Sequence, residues 1–168
     1  MSDSAVQTTI VDDTHTAPTF AELGVDDRIV SALAADGKTH TFAIQELTLP
    51  LALEGHDLIG QARTGMGKTF GFGIPLLHRL AHAEETGVRP LDTTPRALII
   101  VPTRELAVQV GDDLTRAAKY TPVRITTVYG GRPYEAQIAA LSSGVDVVVG
   151  TPGRLIDLLN RGNLQLDR

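Results

Sequence analysis

The sequence predicts an α/β domain in which a parallel sheet is flanked by helices. Two continuous apolar runs, Ala97-Leu98-Ile99-Ile100-Val101 and Val145-Asp146-Val147-Val148-Val149, have the character of strands buried on both faces. Segments of helical periodicity separate the apolar runs, so that strand and helix alternate four times, as in a parallel sheet with crossover helices. Each predicted strand also runs into a polar or glycine-rich stretch, at the carboxyl edge where open α/β sheets bind ligands.

The chain has 168 residues, which suits one domain with a sizeable core, and 42% of them are hydrophobic. It contains no cysteine, which excludes a disulfide framework and cysteine-ligated zinc and fits a reducing compartment. Met1–Val11 is polar, without the basic start and apolar centre of a secretory leader, and no apolar run reaches the length of a membrane span. These features lead us to expect a soluble, cytoplasmic protein. The formal charge of −5 is unevenly spread. Residues 1–27 hold six acids and no Lys or Arg, so the rest carries all fifteen bases against the other fourteen acids. Global charge therefore supplies no long-range attraction to nucleic acid, and any such binding must come from local arginines and helix ends.

In chain order, Met1–Pro18 is Ser/Thr/Asp-rich and reads as a flexible acidic tail, and the folded domain is expected over Thr19–Arg168. Asp26 can cap a short helix whose face is Ile29, Val30 and Leu33 and whose stop is Gly37. A second helical stretch starts near Thr41, carries Phe42, Ile44, Leu47 and Leu49, and is expected to break or restart at Pro50, with Gly55 ending the next turn. Leu58-Ile59 reads as the end of a buried strand, followed by helix from Lys68 to about Ala81 and a loop over Ala83–Arg96. A helix is predicted over Thr103–Tyr120, with Thr103 as cap and Leu106, Val110, Leu114 and Ala117 on one face. The β-branched run Val123–Val128 gives a strand broken by Gly130-Gly131. Helices over Tyr134–Leu141 and Leu155–Asn160 complete the pattern.

The stretch with the clearest chemistry is Ala62-Arg63-Thr64-Gly65-Met66-Gly67-Lys68-Thr69. Between a strand and a helix, this layout brings backbone N–H groups, the positive helix end and one lysine together on a polyphosphate. Lys68 is the expected ligand of the β- and γ-phosphates and Thr69 the expected magnesium ligand; these two are the candidate catalytic residues. Gly65 and Gly67 let the backbone approach without a Cβ in the way. The standard signature opens on Gly, and position 62 is Ala.

Five segments in order resemble the DEAD-box family of ATP-dependent RNA helicases. Ala62–Thr69 resembles that family's motif I, which usually begins with Ala. Pro102-Thr103-Arg104-Glu105-Leu106, with Gln109 after it, resembles motif Ia; Gly130-Gly131 resembles the double glycine, and Thr151-Pro152-Gly153-Arg154 motif Ib. Upstream, Ile44-Gln45 resembles the Q motif, with Phe20 at the expected distance before Gly37. Lys38, Thr41 and Ala43 stand where that motif normally has a large apolar residue and prolines. The resemblance runs from about Thr19 to the end and implies a RecA-like fold, an ATP and Mg2+ site, and an RNA track.

By that resemblance, Gln45 reads the adenine edge and Phe20 stacks on the ring. Pro102, Thr103, Arg104, Gly130, Gly131, Thr151, Pro152, Gly153 and Arg154 line the RNA sugar-phosphate backbone. Arginine forks and helix N-termini suit phosphate oxygens, and such contacts carry no base information, so sequence-independent binding is expected. Glu105 is expected to brace the site. His78 and His82 share a helix face, but without a third ligand they do not define a metal site.

The family's Asp-Glu-Ala-Asp motif is expected shortly after Asn163-Leu164, and the sequence stops at Arg168. The first reading is therefore the N-terminal part of an RNA helicase, with the ATP cradle and half of the RNA track and no turnover by itself. The alternatives are a short non-catalytic ATP- or RNA-binding module and, more remotely, an unrelated phosphate-loop NTPase. The resemblance also places the strands of motifs II and III between those of motifs I and Ia. Residues 1–168 alone are then expected to leave a gap or exposed strand edges and to be marginally stable.

Overall fold

The structure, a computed structural model, describes residues 16–85 and 94–166. In chain order it contains α1 (Asp27–Ala35), α2 (Ala43–Glu54), α3 (Lys68–Glu85), β1 (Ala97–Ile100), α4 (Arg104–Ala117), β2 (Ile125–Val128), α5 (Tyr134–Ser142), β3 (Val147–Gly150) and α6 (Pro152–Asn160). The three strands form a parallel sheet of order β1-β3-β2, flanked by helices. In register, Leu98 and Thr126 both stand opposite Val148. None of the described helices is long and apolar enough to cross a membrane.

The central strand explains the layering. Val147 and Val149 enter one core with Ile29, Leu33, Ile74, Leu77, Val110 and Leu114 from α1, α3 and α4. Val148, pointing the other way, enters a second core with Val128, Leu141, Leu155 and Leu158. All three valines are fully buried, and each contributes about 1.5–3 kcal/mol through removal from water.

Local signals account for the helix starts. Asp26 accepts from Arg28 N at 2.9 Å, and Thr103 Oγ1 from Leu106 N at 3.2 Å. Pro152 opens α6 at a position where a missing N–H costs nothing, so that helix begins earlier than its apolar residues indicate. α2 does not break at Pro50. It runs through the proline to Gly55 in the left-handed region, held by the burial of Leu49 and Gln45. α3 extends to Glu85; the remainder of the loop predicted up to Arg96 falls partly on residues 86–93, outside the described residues. Along α4 the buried residue of the first turn is Ala107, whereas Leu106 is 38% exposed.

At the amino ends of the strands one carboxylate ties the sheet together. Asp146 is buried; its Oδ1 accepts from Arg96 Nη2 at 3.0 Å and Nε at 3.2 Å, and its Oδ2 from Arg124 N at 2.7 Å. Backbone bonds from Arg96 N and Ala97 N to Asp146 O, and from Asp146 N to Arg124 O, place these groups in one layer.

Two strand expectations fail for one physical reason. Leu58-Ile59 forms no strand, and Ile59 is fully exposed. β1 is an edge rather than a doubly buried strand: Ala97–Ile99 are half-buried and Ile100 is 60% exposed. A strand needs a hydrogen-bonding neighbour, and among the described residues β1 pairs only with β3 and Leu58-Ile59 with nothing. The predicted tail falls mainly on residues 1–15, outside the described residues. Pro18, at its end, accepts from Thr41 N at 2.9 Å and Thr41 Oγ1 at 3.0 Å.

Candidate functional site

The glycine-rich loop delivers the chain into α3 at Lys68. Gly65 and Gly67 have φ of +84° and +77°, in the left-handed region. Gly67 is required a second time by its surroundings. A Cβ there would stand 2.3 Å from Gln45 Nε2 and 2.7 Å from Cδ2 of Phe42. Arg63, Thr64 and Met66 are exposed, Ala62 and Thr69 half-buried.

Gln45 is 1% exposed and joins α2 to this loop. Its Nε2 donates to Gly67 O at 2.8 Å, and its Oε1 accepts from Phe42 N at 2.9 Å. Gln45 is thus the third residue of α2 reaching back to the helix cap, half of a capping box in which Phe42 has no side-chain acceptor to return the bond. Here the amide acts as a brace, with one further donor and one acceptor lone pair to offer. Sequence reasoning missed the brace, although a glutamine three residues after a cap position is its signature.

Lys68 Nζ donates to Ala62 O and, at 2.9 Å, to Arg63 O. The loop wraps its own ammonium in carbonyl oxygens, the acceptor role that phosphate oxygens take when a polyphosphate binds. At 2% exposed Phe20 packs in the larger core, so it has no free face for an adenine ring.

The three stretches at the carboxyl ends of β1, β2 and β3 do come together. An open cleft of about 700 Å³ is lined by Pro102, Thr103, Arg104 and Glu105 from the β1–α4 junction, Gly130 after β2, and Thr151, Gly153 and Arg154 at the start of α6. Residues 62–69 do not border it. Arg104 lies over the double glycine. A Cβ on Gly131, whose φ is +85°, would stand 2.4 Å from Arg104 Nη1. Gly131 thus leaves room for the end of an arginine as well as turning the chain.

Arg154 is 9% exposed, more enclosed than a free phosphate ligand would be. Its guanidinium carbon sits 3.9 Å from the centre of the Tyr134 ring, and its Nη1 donates to Arg132 O at 3.2 Å. The Tyr134 hydroxyl donates to Asp157 Oδ2, and Arg161 Nε donates to Asp157 Oδ1 at 3.0 Å. The tyrosine hydroxyl, followed by the Arg161 guanidinium, holds the Asp157 carboxyl below the usual carboxylate range. Sequence reasoning did not single out Tyr134, Asp157 or Arg161. The spacing of 154, 157 and 161 on one helix face was a usable signal, but the tyrosine arrives from α5 and needed the fold.

His78 and His82 stack with ring centres 4.5 Å apart on α3. His78 Nδ1 accepts from Asp26 N at 3.1 Å, and burial lowers its pKa. Among the described residues no three His, Asp or Glu side chains converge on a metal position.

A parallel α/β sheet with a glycine-rich loop opening a helix defines the class: a phosphate-loop nucleotide-binding domain. The DEAD/DEAH box helicase family model matches residues 42–167. Over 147 residues the chain is 49% identical to the chloroplastic DEAD-box ATP-dependent RNA helicase 3B of Zea mays, covering 88% of this chain and 20% of that protein. It is 45% identical over 148 residues to the ATP-dependent RNA helicase CshA of Listeria monocytogenes, covering 88% of this chain and 27% of that one. The crystal structure of a hypothetical ATP-dependent RNA helicase from Sulfolobus tokodaii superposes with a TM-score of 0.70 at 35% identity, covering 83% of this chain and 38% of that chain. The chain belongs to the DEAD/DEAH box helicase family. It spans 20% and 27% of the two curated relatives named here.

Proposed function

We propose that this chain supplies the ATP cradle and one wall of the RNA track of an ATP-dependent RNA helicase, in which RNA-stimulated ATP hydrolysis drives local duplex opening. The observation that carries the reading is the loop of Gly65, Gly67 and Lys68 opening α3, in a domain whose three strand ends form a cleft holding Arg104 and Arg154. Ala62–Thr69 take the triphosphate, with Lys68 exchanging the Ala62 and Arg63 carbonyls for phosphate oxygens. Gln45 keeps the loop in register with α2, and contact of its amide with adenine is the part of the reading that the family resemblance alone supports. Magnesium, when bound, would supply neutralisation of the phosphate charge. Thr69 is the residue of this segment whose hydroxyl would hold it.

Pro102, Thr103, Arg104, Gly130, Gly131, Thr151, Pro152, Gly153 and Arg154 bind RNA through sugar and phosphate, independent of base sequence. A cytoplasmic site of action fits the absence of cysteine. The test is titration with a fluorescent ATP analogue and Mg2+. The unsubstituted chain is expected to saturate and Lys68→Ala to bind at least about tenfold more weakly, the effect of one charge-assisted contact. Equal binding by both removes the cradle from the reading.

A further inference from the structure

Arg154 poses a problem for a residue meant to meet RNA. It lines the cleft, yet it is 9% exposed and one edge of its fork is spent on a backbone carbonyl. What keeps the rest of the fork at the cleft is not on its own helix. The guanidinium lies against the ring of Tyr134 at 3.9 Å, in the geometry of a cation over an aromatic face. Tyr134 is itself fixed from two sides. Its hydroxyl donates to Asp157, one turn along α6 from Arg154, and Asp157 is held by Arg161 Nε at 3.0 Å. The Arg161 guanidinium also approaches the same ring, at 4.4 Å from its centre.

The ring therefore has two cations against it and a carboxylate on its hydroxyl, and bases have no free invitation to stack on it. Its place in the chain matters as much. Tyr134 is the first residue of α5, just after the segment of Gly130, Gly131 and Arg132, whose carbonyl takes Arg154 Nη1. One side chain thus joins the double-glycine segment to the start of α6.

We propose that Tyr134 is the positioning residue of the cleft: its ring sets the Arg154 guanidinium at a backbone-phosphate position, and Asp157 and Arg161 set the ring. Arginine has five N–H donors, and one is used on Arg132, so a pre-oriented fork retains donors for a phosphate. Pre-orientation spares the flexible side chain the loss of freedom it would otherwise suffer on binding. The inference rests on the RNA reading above.

The experiment measures binding of a fluorescein-labelled oligouridylate by anisotropy, using the full chain over a series of KCl concentrations. Arg154→Ala is expected to weaken binding roughly tenfold or more and to reduce the slope of log affinity against log salt by about 0.7, the signature of one lost phosphate on a single strand. Tyr134→Leu and Tyr134→Met, the second a longer and more adaptable side chain in case the first does not fold, are expected to give the same reduction with Arg154 still present. Combining either with Arg154→Ala should add nothing further, because the two residues act as one unit. Tyr134→Phe keeps the ring but removes its hydroxyl bond to Asp157, and should reduce the slope by less than Tyr134→Leu.

A Tyr134 whose only role is packing would lower the melting temperature and leave the slope unmoved. That outcome, or full additivity with Arg154→Ala, overturns the inference while the RNA reading stands. Absence of binding by the unsubstituted chain overturns both.

Discussion

Asp146 offers the sharpest test of how this sheet is held together. Its side chain is 5% exposed and that of Arg96 13%, so the pair sits where water cannot take over for a missing partner. Replacing Asp146 by Ala removes the acceptor of two Arg96 bonds at 3.0 and 3.2 Å and of the Arg124 N–H at 2.7 Å. Taking one partner from a buried pair costs about 3–5 kcal/mol, because the other charge stays behind. Asp146→Asn keeps one acceptor and loses the charge, and should cost about 1–3 kcal/mol. In urea unfolding with a slope of about 2 kcal/mol per molar, the Ala variant's midpoint should fall by about 2 M and the Asn variant's by roughly 1 M. Removing both charges with packed apolar residues, Arg96→Met with Asp146→Leu, should restore most of the loss. A fall of less than about 0.5 M for Asp146→Ala would show that the clamp contributes little. Equal losses for the single and double replacements would show that packing, rather than the loss of the carboxylate beside Arg96, sets the cost.

The remaining predictions concern the loop, a helix cap and the sheet edge. Gly67→Ala forces a side chain into the left-handed region and against Gln45 Nε2, so nucleotide affinity should fall at least about tenfold by fluorescence titration; unchanged affinity would mean the loop adopts another backbone. Asp26 is held at a pKa of about 2, chiefly by the Arg28 side chain. That is below its unfolded value, so the stabilisation of about 2 kcal/mol is full above pH 5 and disappears as pH falls towards 2. Asp26→Asn, which can still cap α1, should flatten stability over that window, and an unchanged pH profile would count against the ion pair. Residues 1–168 produced alone should self-associate through the open β1 edge and the exposed Ile59 and Ile100, with Ile100→Lys reducing it in sedimentation. A monomer with a cooperative, high-temperature melt would contradict this.

Much of this architecture could be read from residue patterns because its causes are local. Asp26 and Thr103 cap helices by the short reach of their own side chains, and Val147-Val148-Val149 announces a strand with a core on each side. What was misread depends on neighbours. Leu58-Ile59 has strand composition and no strand beside it, and the run from Ala97 is apolar enough for a central place while standing at an edge. Phe20 resembles a stacking residue by spacing, and burial decided otherwise. At the candidate site the loop glycines, Lys68 and the cleft arginines were visible one motif at a time. Gln45 bonding to Gly67 and Tyr134 lying on Arg154 join elements distant in sequence, and no periodicity encodes such a pairing.

The contact between Arg104 and Gly131 has a consequence for heredity. Any side chain at 131 takes a backbone angle it rarely adopts, and it also pushes aside the guanidinium end already lying there. Substituting the glycine therefore also dislodges the arginine, although the arginine codon is untouched. Positions 104 and 131 are thereby linked: damage at the glycine should reproduce loss of the arginine and add the strain of the turn, and damage at both should be no worse than damage at the glycine alone. A lineage that relinquished the arginine would be released from half of the constraint on the glycine, while the left-handed turn would still preserve the other half.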